Sequence, residues 1–516
     1  MPKEFKNEVF TDFTKPENKK TMEEALSKVA SELGREYPLI IDGEKIDSSN
    51  KIKSTNPANK SELVGIAQKA TKDHALKAVD VALNTFKTWK NTKTEERADY
   101  LYKLAGKMRE KKYELASWMV YEVGKSWAEA DADVAEAIDF CDFYANEAIR
   151  YSKGTPCVEY PGESNTLEYI PLGVAAVIPP WNFPFAILVG MTTAAAVTGN
   201  TVVLKPASDS PIIASKFMEL VEEVGMPKGV INLISGSGSE VGEVLVTHPK
   251  IRFISFTGSR DVGLHIAEEC GKVREGQKWI KRLVAEMGGK DATIVDSEAN
   301  IDLAVESVAL ATYGFQGQKC SACSRAIVDE KIYDEFLTKL VERVKKIKVG
   351  PTKDFENYMG AVSSKSAYDK ICSYIEIGKK EGKLLIGGEY SDETGYFIQP
   401  TIFADIDRNA RLAQEEVFGP VLAVIKSKNF DDAVEIFNGT DYGLTGGVIT
   451  NNKEKIQRAK KECHSGNFYI NRKITGALVG VQPFGGYNMS GTCSKAGGKD
   501  YLLLFLQAKS ICEKQL

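Results

Sequence analysis

The sequence predicts an α/β fold built from parallel strand–helix–strand units. Three observations carry that prediction. First, short β-rich runs, VAAVI (174–178), TVVL (201–204), VINLI (230–234) and FISF (253–256), recur roughly 22 to 29 residues apart, with helical patterns between them. Strands at that spacing are joined by crossover helices and pair in parallel. Second, another such series begins near Ala292, with ATIV (292–295), a helix capped by Asn300, RAIVD (325–329) and a charged amphipathic helix from about Tyr333 to Lys346. Third, glycine-rich turns follow two of the strands: GSGSEVG (236–242) after VINLI and GSRDVG (258–263) after FISF.

The remaining elements follow in chain order. The first 50 residues are polar and mixed. Leu76, Val79, Leu83 and Phe86 then recur at helical spacing, which predicts one buried helix face. A long amphipathic stretch runs from about Arg97 to Val123. The segment from Cys157 to Tyr169 is rich in Pro and Gly and then alternates, which reads as a hairpin or arm. No charge occurs between Glu168 and Lys205, but Pro171, Pro179, Pro180 and Pro184 break the run. A buried core of strands and a helix is therefore expected rather than a membrane span. Over 211–224 a helix is expected, capped by Ser210, with Pro211 at its first position and Gly225 ending it. The tail is glycine-rich from about Gly485 and turns apolar from Tyr501 to Leu506.

Composition excludes several classes. The chain has 516 residues and a net charge of −4, so it lacks the basic excess of a nucleic-acid binder. Hydrophobic residues at 43% and charged residues at 27% exclude a disordered chain. Nine cysteines are too few for a disulfide scaffold and, being odd in number, leave at least one thiol free. The first ten residues contain no apolar run of the signal-peptide kind. A reducing, cytoplasmic location is expected. Cys320 and Cys323 form the only CxxC, and with four histidines in the chain no metal site is expected.

Two residues stand out chemically. Cys320 lies in FQGQKCSACSR (315–325), directly after Lys319, a cation placed to favour the thiolate. A cysteine is ordinarily an inert core residue, and Cys323 is an alternative reactive partner. Glu286 lies in AEMGGKD (285–291), where Gly288 and Gly289 free the backbone around a carboxylate suited to general-base work. A solvated turn carboxylate is the plainer reading. Neither glycine turn is a GxGxxG fingerprint or a P-loop, though each places free N–H groups at a helix N-terminus, where an anion is favoured.

PWNFP (180–184), LKPA (204–207), FTGS (256–259), EMGGK (286–290), GQKC (317–320), EEVFGP (415–420) and PFGGYNMSG (483–491) occur in this order. Together they resemble the aldehyde dehydrogenase superfamily over roughly residues 35–510. The resemblance implies a modified Rossmann cofactor domain, an α/β catalytic domain and a small β oligomerisation arm. It implies Cys320 as nucleophile, Glu286 as the base that activates water, and Asn182 as the oxyanion donor beside the Cys320 N–H. It places Pro180, Trp181, Lys205, Ser208, Gly258, Ser259, Glu416 and Phe418 around the cofactor, NAD. NAD-preferring relatives often carry a glutamate where this chain has Ser208, so NADP use is left open. Asn488 replaces a common lysine, with no consequence attached.

GQKCSACSR together with TGALVG (475–480) resembles the branch of the superfamily that oxidises L-glutamate 5-semialdehyde to L-glutamate in proline breakdown. That likeness implies Ser321, Gly476 and Ala477 at the substrate carboxylate, with Glu136 and Phe183 lining the same pocket. The implied domains are an N-terminal helical part (1–154), an oligomerisation hairpin (155–172), a cofactor domain (173–285), a catalytic domain (286–484) and a C-terminal oligomerisation strand (485–516). A homo-oligomer with a small amino-acid aldehyde as substrate is expected. The competing readings are a dehydrogenase for another aldehyde, such as succinate semialdehyde, and a non-catalytic or thiol-redox protein on the same fold.

Overall fold

The computed structural model describes residues 4–515; Met1–Lys3 and Leu516, at the outer ends of the two terminal segments, lie outside the described residues. Two seven-stranded sheets organise the chain. The first runs in the order Arg282–Glu286, Ile251–Thr257, Val174–Ile178, Thr201–Leu204, Ile231–Leu233, Leu39–Ile41, Glu44–Ile46. Its first five strands are parallel and the last two add antiparallel. The second runs Lys383–Ile386, Thr401–Ala404, Val421–Ser427, Arg325–Asp329, Ala292–Val295, Thr445–Ile449, Asn467–Ile470, all parallel except the first pair.

The uncharged run becomes the centre of the first sheet. Val174–Ile178 and Thr201–Leu204 are wholly buried because helices cover both faces. Ala175 and Val177 join one core with Phe185, Val189 and Phe217, while Val174, Ala176 and Ile178 join another with Ala75, Val79 and Ile254. The intervening helix, Ala186–Val197, is buried at every residue but Ile187. Among the described residues no helix is long and apolar enough to cross a membrane.

Several expectations change in detail. The helix Lys72–Trp89 buries Ala75, Ala78, Val79 and Ala82, and leaves Leu76 exposed. Small alanines let it approach the sheet closely enough for the Thr201 hydroxyl to donate to the Ala82 carbonyl at 2.8 Å. The Arg97–Val123 stretch is two helices, Thr94–Glu110 and Lys112–Val123, broken at Lys111. Ser210 does not cap the helix Pro211–Glu223 with its side chain. The buried Glu122 carboxylate does so instead, accepting from the Ile212 N–H at 2.7 Å and the Ile213 N–H at 2.9 Å. A tertiary partner has replaced the local one.

The segment 1–154 is not purely helical. It supplies two strands to the first sheet and a separate small sheet, Glu36–Tyr37, Asn59–Gln68 and Lys51–Asn56. The arm pairs Glu163–Pro171 with Thr155–Pro156 on one side and Leu506–Lys514 on the other. The tail strand thus begins at Leu506. The glycine-rich stretch before it, from Gly485, is instead a loop against the Glu286 carboxylate.

Candidate active site

In the first sheet the chain steps from Val174–Ile178 outward in both directions, to Thr201–Leu204 on one side and to Ile251–Thr257 on the other. The carboxyl ends of strands at such a switch point leave a crevice that no crossover helix fills. A cleft of about 490 Å³ lies there, lined by Pro180, Trp181, Asn182, Lys205, Gly258 and Ser259 from the first sheet and by Cys320, Glu416 and Phe418 from the second. A second cavity, of about 560 Å³ beside Tyr37 and Lys216, shares no lining residue with it.

The loop before Cys320 is held in a costly conformation. Phe315 and Gln316 both have positive φ, at 49° and 57°. Each such residue costs on the order of 1–3 kcal/mol and persists only where its surroundings over-determine it. Here the Gln316 amide donates to the carbonyls of Gly124 and Ala361, both at 2.9 Å. The Phe315 ring lies 4.2 Å from the buried Lys125 ammonium, which is also 4.1 Å from the Phe183 ring. The Gln318 side chain accepts from the Ser363 N–H at 2.9 Å. Asn182 Nδ2 donates to the Gln318 carbonyl at 3.0 Å, tying the PWNFP turn to the Cys320 loop.

The expected role of Lys319 needs correction. Its ammonium pairs with Glu129 at 2.6 Å and is not free to favour a thiolate. Burial pushes the Cys320 thiol pKa well above its ordinary value, and the Asp291, Glu416 and Glu286 carboxyls push it further. Cys323 is fully buried, with its sulfur 3.4 Å from the Thr293 hydroxyl and 3.3 Å from the Arg325 carbonyl.

Glu286 does not line the cleft. Its carboxylate accepts from the Gly486 N–H at 3.0 Å and from the Ser494 hydroxyl at 2.6 Å. Burial raises its pKa to about 7, against the lowering effect of those donors. Gly288 and Gly289 act less on Glu286 than on Glu416. A Cβ at Gly288 would fall 2.2 Å from the Glu416 carboxylate, and the Gly289 N–H donates to that carboxylate at 2.8 Å.

The residues expected around the cofactor divide. Lys205 is buried, its ammonium donating to the Pro206 carbonyl at 3.0 Å and the Gly236 carbonyl at 3.3 Å; burial lowers its pKa to about 8. Ser259 caps the helix Arg260–Gly271, its hydroxyl accepting from the Val262 N–H. Phe418 stands 5.6 Å from Trp181, ring edge to face. Ser208 is exposed outside the cleft, while Asp209 lines it. The sequence reading missed Asp209, because a carboxylate one position along a loop carries no pattern of its own.

The residues expected at the substrate do not line the cleft. Ser321 is buried, its carbonyl accepting from the Thr445 hydroxyl at 3.3 Å. Gly476, at φ 77°, begins a loop whose side-chain space is open: a Cβ there would meet only Lys473, at 3.6 Å. Ala477 follows it. Glu136 is carried by the helix Trp127–Tyr151, and burial raises its pKa to about 8.

Comparison with known proteins accounts for this arrangement. Residues 45–511 match the aldehyde dehydrogenase family. A 1-pyrroline-5-carboxylate dehydrogenase of Geobacillus sp. (strain WCH70) is 56% identical over 513 residues, covering 99% of this chain and 100% of that protein. The solved 1-pyrroline-5-carboxylate dehydrogenase from Thermus with bound NAD superposes with a TM-score of 0.98 at 50% identity, covering 99% of each chain. A Staphylococcus aureus betaine aldehyde dehydrogenase in complex with NAD+ is more distant, with a TM-score of 0.89 at 32% identity over 96% of this chain and 98% of that one. With nearly its whole length matched in sequence and in backbone, the chain belongs to the aldehyde dehydrogenase family.

Proposed function

We propose that this protein is an NAD-dependent dehydrogenase that oxidises L-glutamate 5-semialdehyde, in equilibrium with 1-pyrroline-5-carboxylate, to L-glutamate. The observation that carries the chemistry is that Cys320 and Asn182 line one cleft at the strand switch point. The full-length relatives of that name supply the substrate. In this reading the segment 173–285 is the cofactor domain, 286–484 the catalytic domain, and the sheet of 155–172 with Leu506–Lys514 the oligomerisation arm.

The cleft fits NAD. Lys205 commits two of its three ammonium protons to backbone carbonyls, leaving one for a ribose hydroxyl. Glu416 offers a carboxylate acceptor, and Ser259 opens a helix N-terminus that favours a pyrophosphate. Bound there, NAD would supply the hydride acceptor that oxidation of the aldehyde needs.

The chain's own residues do the rest. The Cys320 sulfur gives up its proton to solvent in the cleft and attacks the aldehyde carbon, turning a planar carbonyl into a tetrahedral thiohemiacetal. The Asn182 amide, already held beside the nucleophile loop, donates to the oxyanion; one such donor is typically worth about 10²–10³ in rate. Oxidation leaves a thioester on Cys320. Glu286, with its pKa near 7, accepts a proton from the water that hydrolyses it, and to do so its carboxylate releases Gly486 and Ser494. Glutamate leaves and the thiol is restored.

Steady-state kinetics on glutamate semialdehyde, succinate semialdehyde and propanal test the reading. Glutamate semialdehyde is expected to give the highest kcat/KM, by at least an order of magnitude. Equal turnover of all three would assign another substrate.

A further inference from the structure

An extended segment with no helix or strand, residues 4–12, crosses the helix Trp127–Tyr151 and reaches the 475–480 loop. Its contacts are specific. Asn7 Nδ2 donates both to the Asp139 carboxylate at 2.8 Å and to the Val479 carbonyl at 2.9 Å. The Glu8 N–H donates to the same Asp139 carboxylate at 2.7 Å. The Phe5 ring packs against Phe143, at 5.1 Å between centroids. Gly480, at φ 77°, lies under that pair: a Cβ there would stand 3.1 Å from Phe143 and 3.2 Å from Phe5.

These bonds join two elements with a shared task. Asp139 and Phe143 lie on the same helix as Glu136, one and two turns further along. Val479 and Gly480 close the loop that begins with Gly476 and Ala477. In the family likeness drawn from the sequence, Gly476 and Ala477 meet the substrate carboxylate and Glu136 lines the same pocket. The loop has no regular secondary structure, so its distance from the helix depends on a few tertiary bonds. A short polar group with two donor hydrogens suits that bridge: one hydrogen goes to the carboxylate, the other to the carbonyl.

We infer that Asn7 is a positioning residue for substrate recognition, setting the spacing between the Trp127–Tyr151 helix and the 475–480 loop and so the affinity for the amino-acid end of the aldehyde. The inference rests on glutamate semialdehyde being the substrate.

The test compares the full-length enzyme with Asn7→Ala and with the exchange Asn7→Asp/Asp139→Asn. In the exchange, the new amide at 139 can donate to the new carboxylate at 7 and still accept from the Glu8 N–H, so the segment stays tied to the helix. A carboxylate at 7 cannot donate to Val479. Both variants lose the bond to Val479 and should raise KM for glutamate semialdehyde about 3- to 10-fold, with kcat nearly unchanged. For propanal, which has no amino-acid end, kcat/KM should stay within about twofold. Phe5→Ala, which removes the ring beside Gly480, should act in the same direction. Wild-type KM in Asn7→Ala, recovery of wild-type KM in the exchange, or equal loss on both aldehydes would each overturn the inference. A wild-type enzyme that did not prefer glutamate semialdehyde to propanal would instead overturn the substrate reading on which it rests.

Discussion

The Lys319 ammonium and the Glu129 carboxylate form an ion pair at 2.6 Å, and that pair joins the Cys320 loop to the Trp127–Tyr151 helix. The lysine directly before Cys320 therefore acts as an anchor for the loop rather than as a charge on the sulfur. Both side chains are mostly buried, at 10% and 22% exposure. Removing Glu129 leaves an ammonium with little water to replace it, so Glu129→Ala should cost about 2–3 kcal/mol, below the range for fully buried pairs. Lys319→Ala/Glu129→Ala should recover part of that loss. Denaturant melts of the single and double variants measure both; strict additivity would show that the pair contributes nothing.

Cys320 should be the only cysteine that turnover requires. Cys320→Ala should abolish aldehyde oxidation. Cys323→Ser should keep most of it, because the Cys323 sulfur is committed to Thr293 and the Arg325 carbonyl. Titrating active sites with an aldehyde in both variants checks this, and near-normal turnover in Cys320→Ala would exclude a covalent route.

Thioester hydrolysis should follow the ionisation of Glu286. The base form exists above its pKa of about 7, so the steady-state rate should rise with pH through that value and fall below it. Ser494 donates to the carboxylate and holds the pKa down. Ser494→Ala should therefore move the rising limb to higher pH. Glu286→Gln should leave a pre-steady-state burst of reduced cofactor ahead of a slow phase; equal loss of both would place Glu286 in an earlier step.

Cofactor choice should turn on Asp209 rather than Ser208. Asp209 lines the cleft and Ser208 does not, and a carboxylate there opposes a 2′-phosphate. NAD should be preferred, and Asp209→Asn should raise kcat/KM for NADP several-fold while changing that for NAD much less. Ser208→Ala should leave the ratio unchanged. A cofactor ratio unaltered in Asp209→Asn would remove the residue from the recognition of the ribose.

Gly476 should be needed for its backbone. At φ 77° a β-branched side chain is strained, although the space beside it is open. Gly476→Val should lower kcat/KM for glutamate semialdehyde at least tenfold and that for propanal much less. The milder Gly476→Ala should fall between wild type and Gly476→Val. Equal loss on both aldehydes would make the loop general scaffold.

By itself the sequence determined the parallel α/β frame and the family. The strands Val174–Ile178, Thr201–Leu204, Ala292–Val295 and Arg325–Asp329 stand where their β-rich runs predict, because a strand buried on both faces needs an unbroken apolar run and tight punctuation. The Asn300 cap also formed as expected, since the Asn300 side chain and the Leu303 N–H are three residues apart. The tertiary structure decided what depended on distant partners. Glu122 took the capping role expected of Ser210, and Glu129 took the charge of Lys319. The helix Lys72–Trp89 turned its alanines rather than Leu76 to the sheet. Asp209 entered the cleft in place of Ser208, and Asn7 reached Val479 across more than 470 residues of sequence. Local propensity acts over a few residues, whereas a buried charge or an unpaired N–H must find its partner wherever the fold places one.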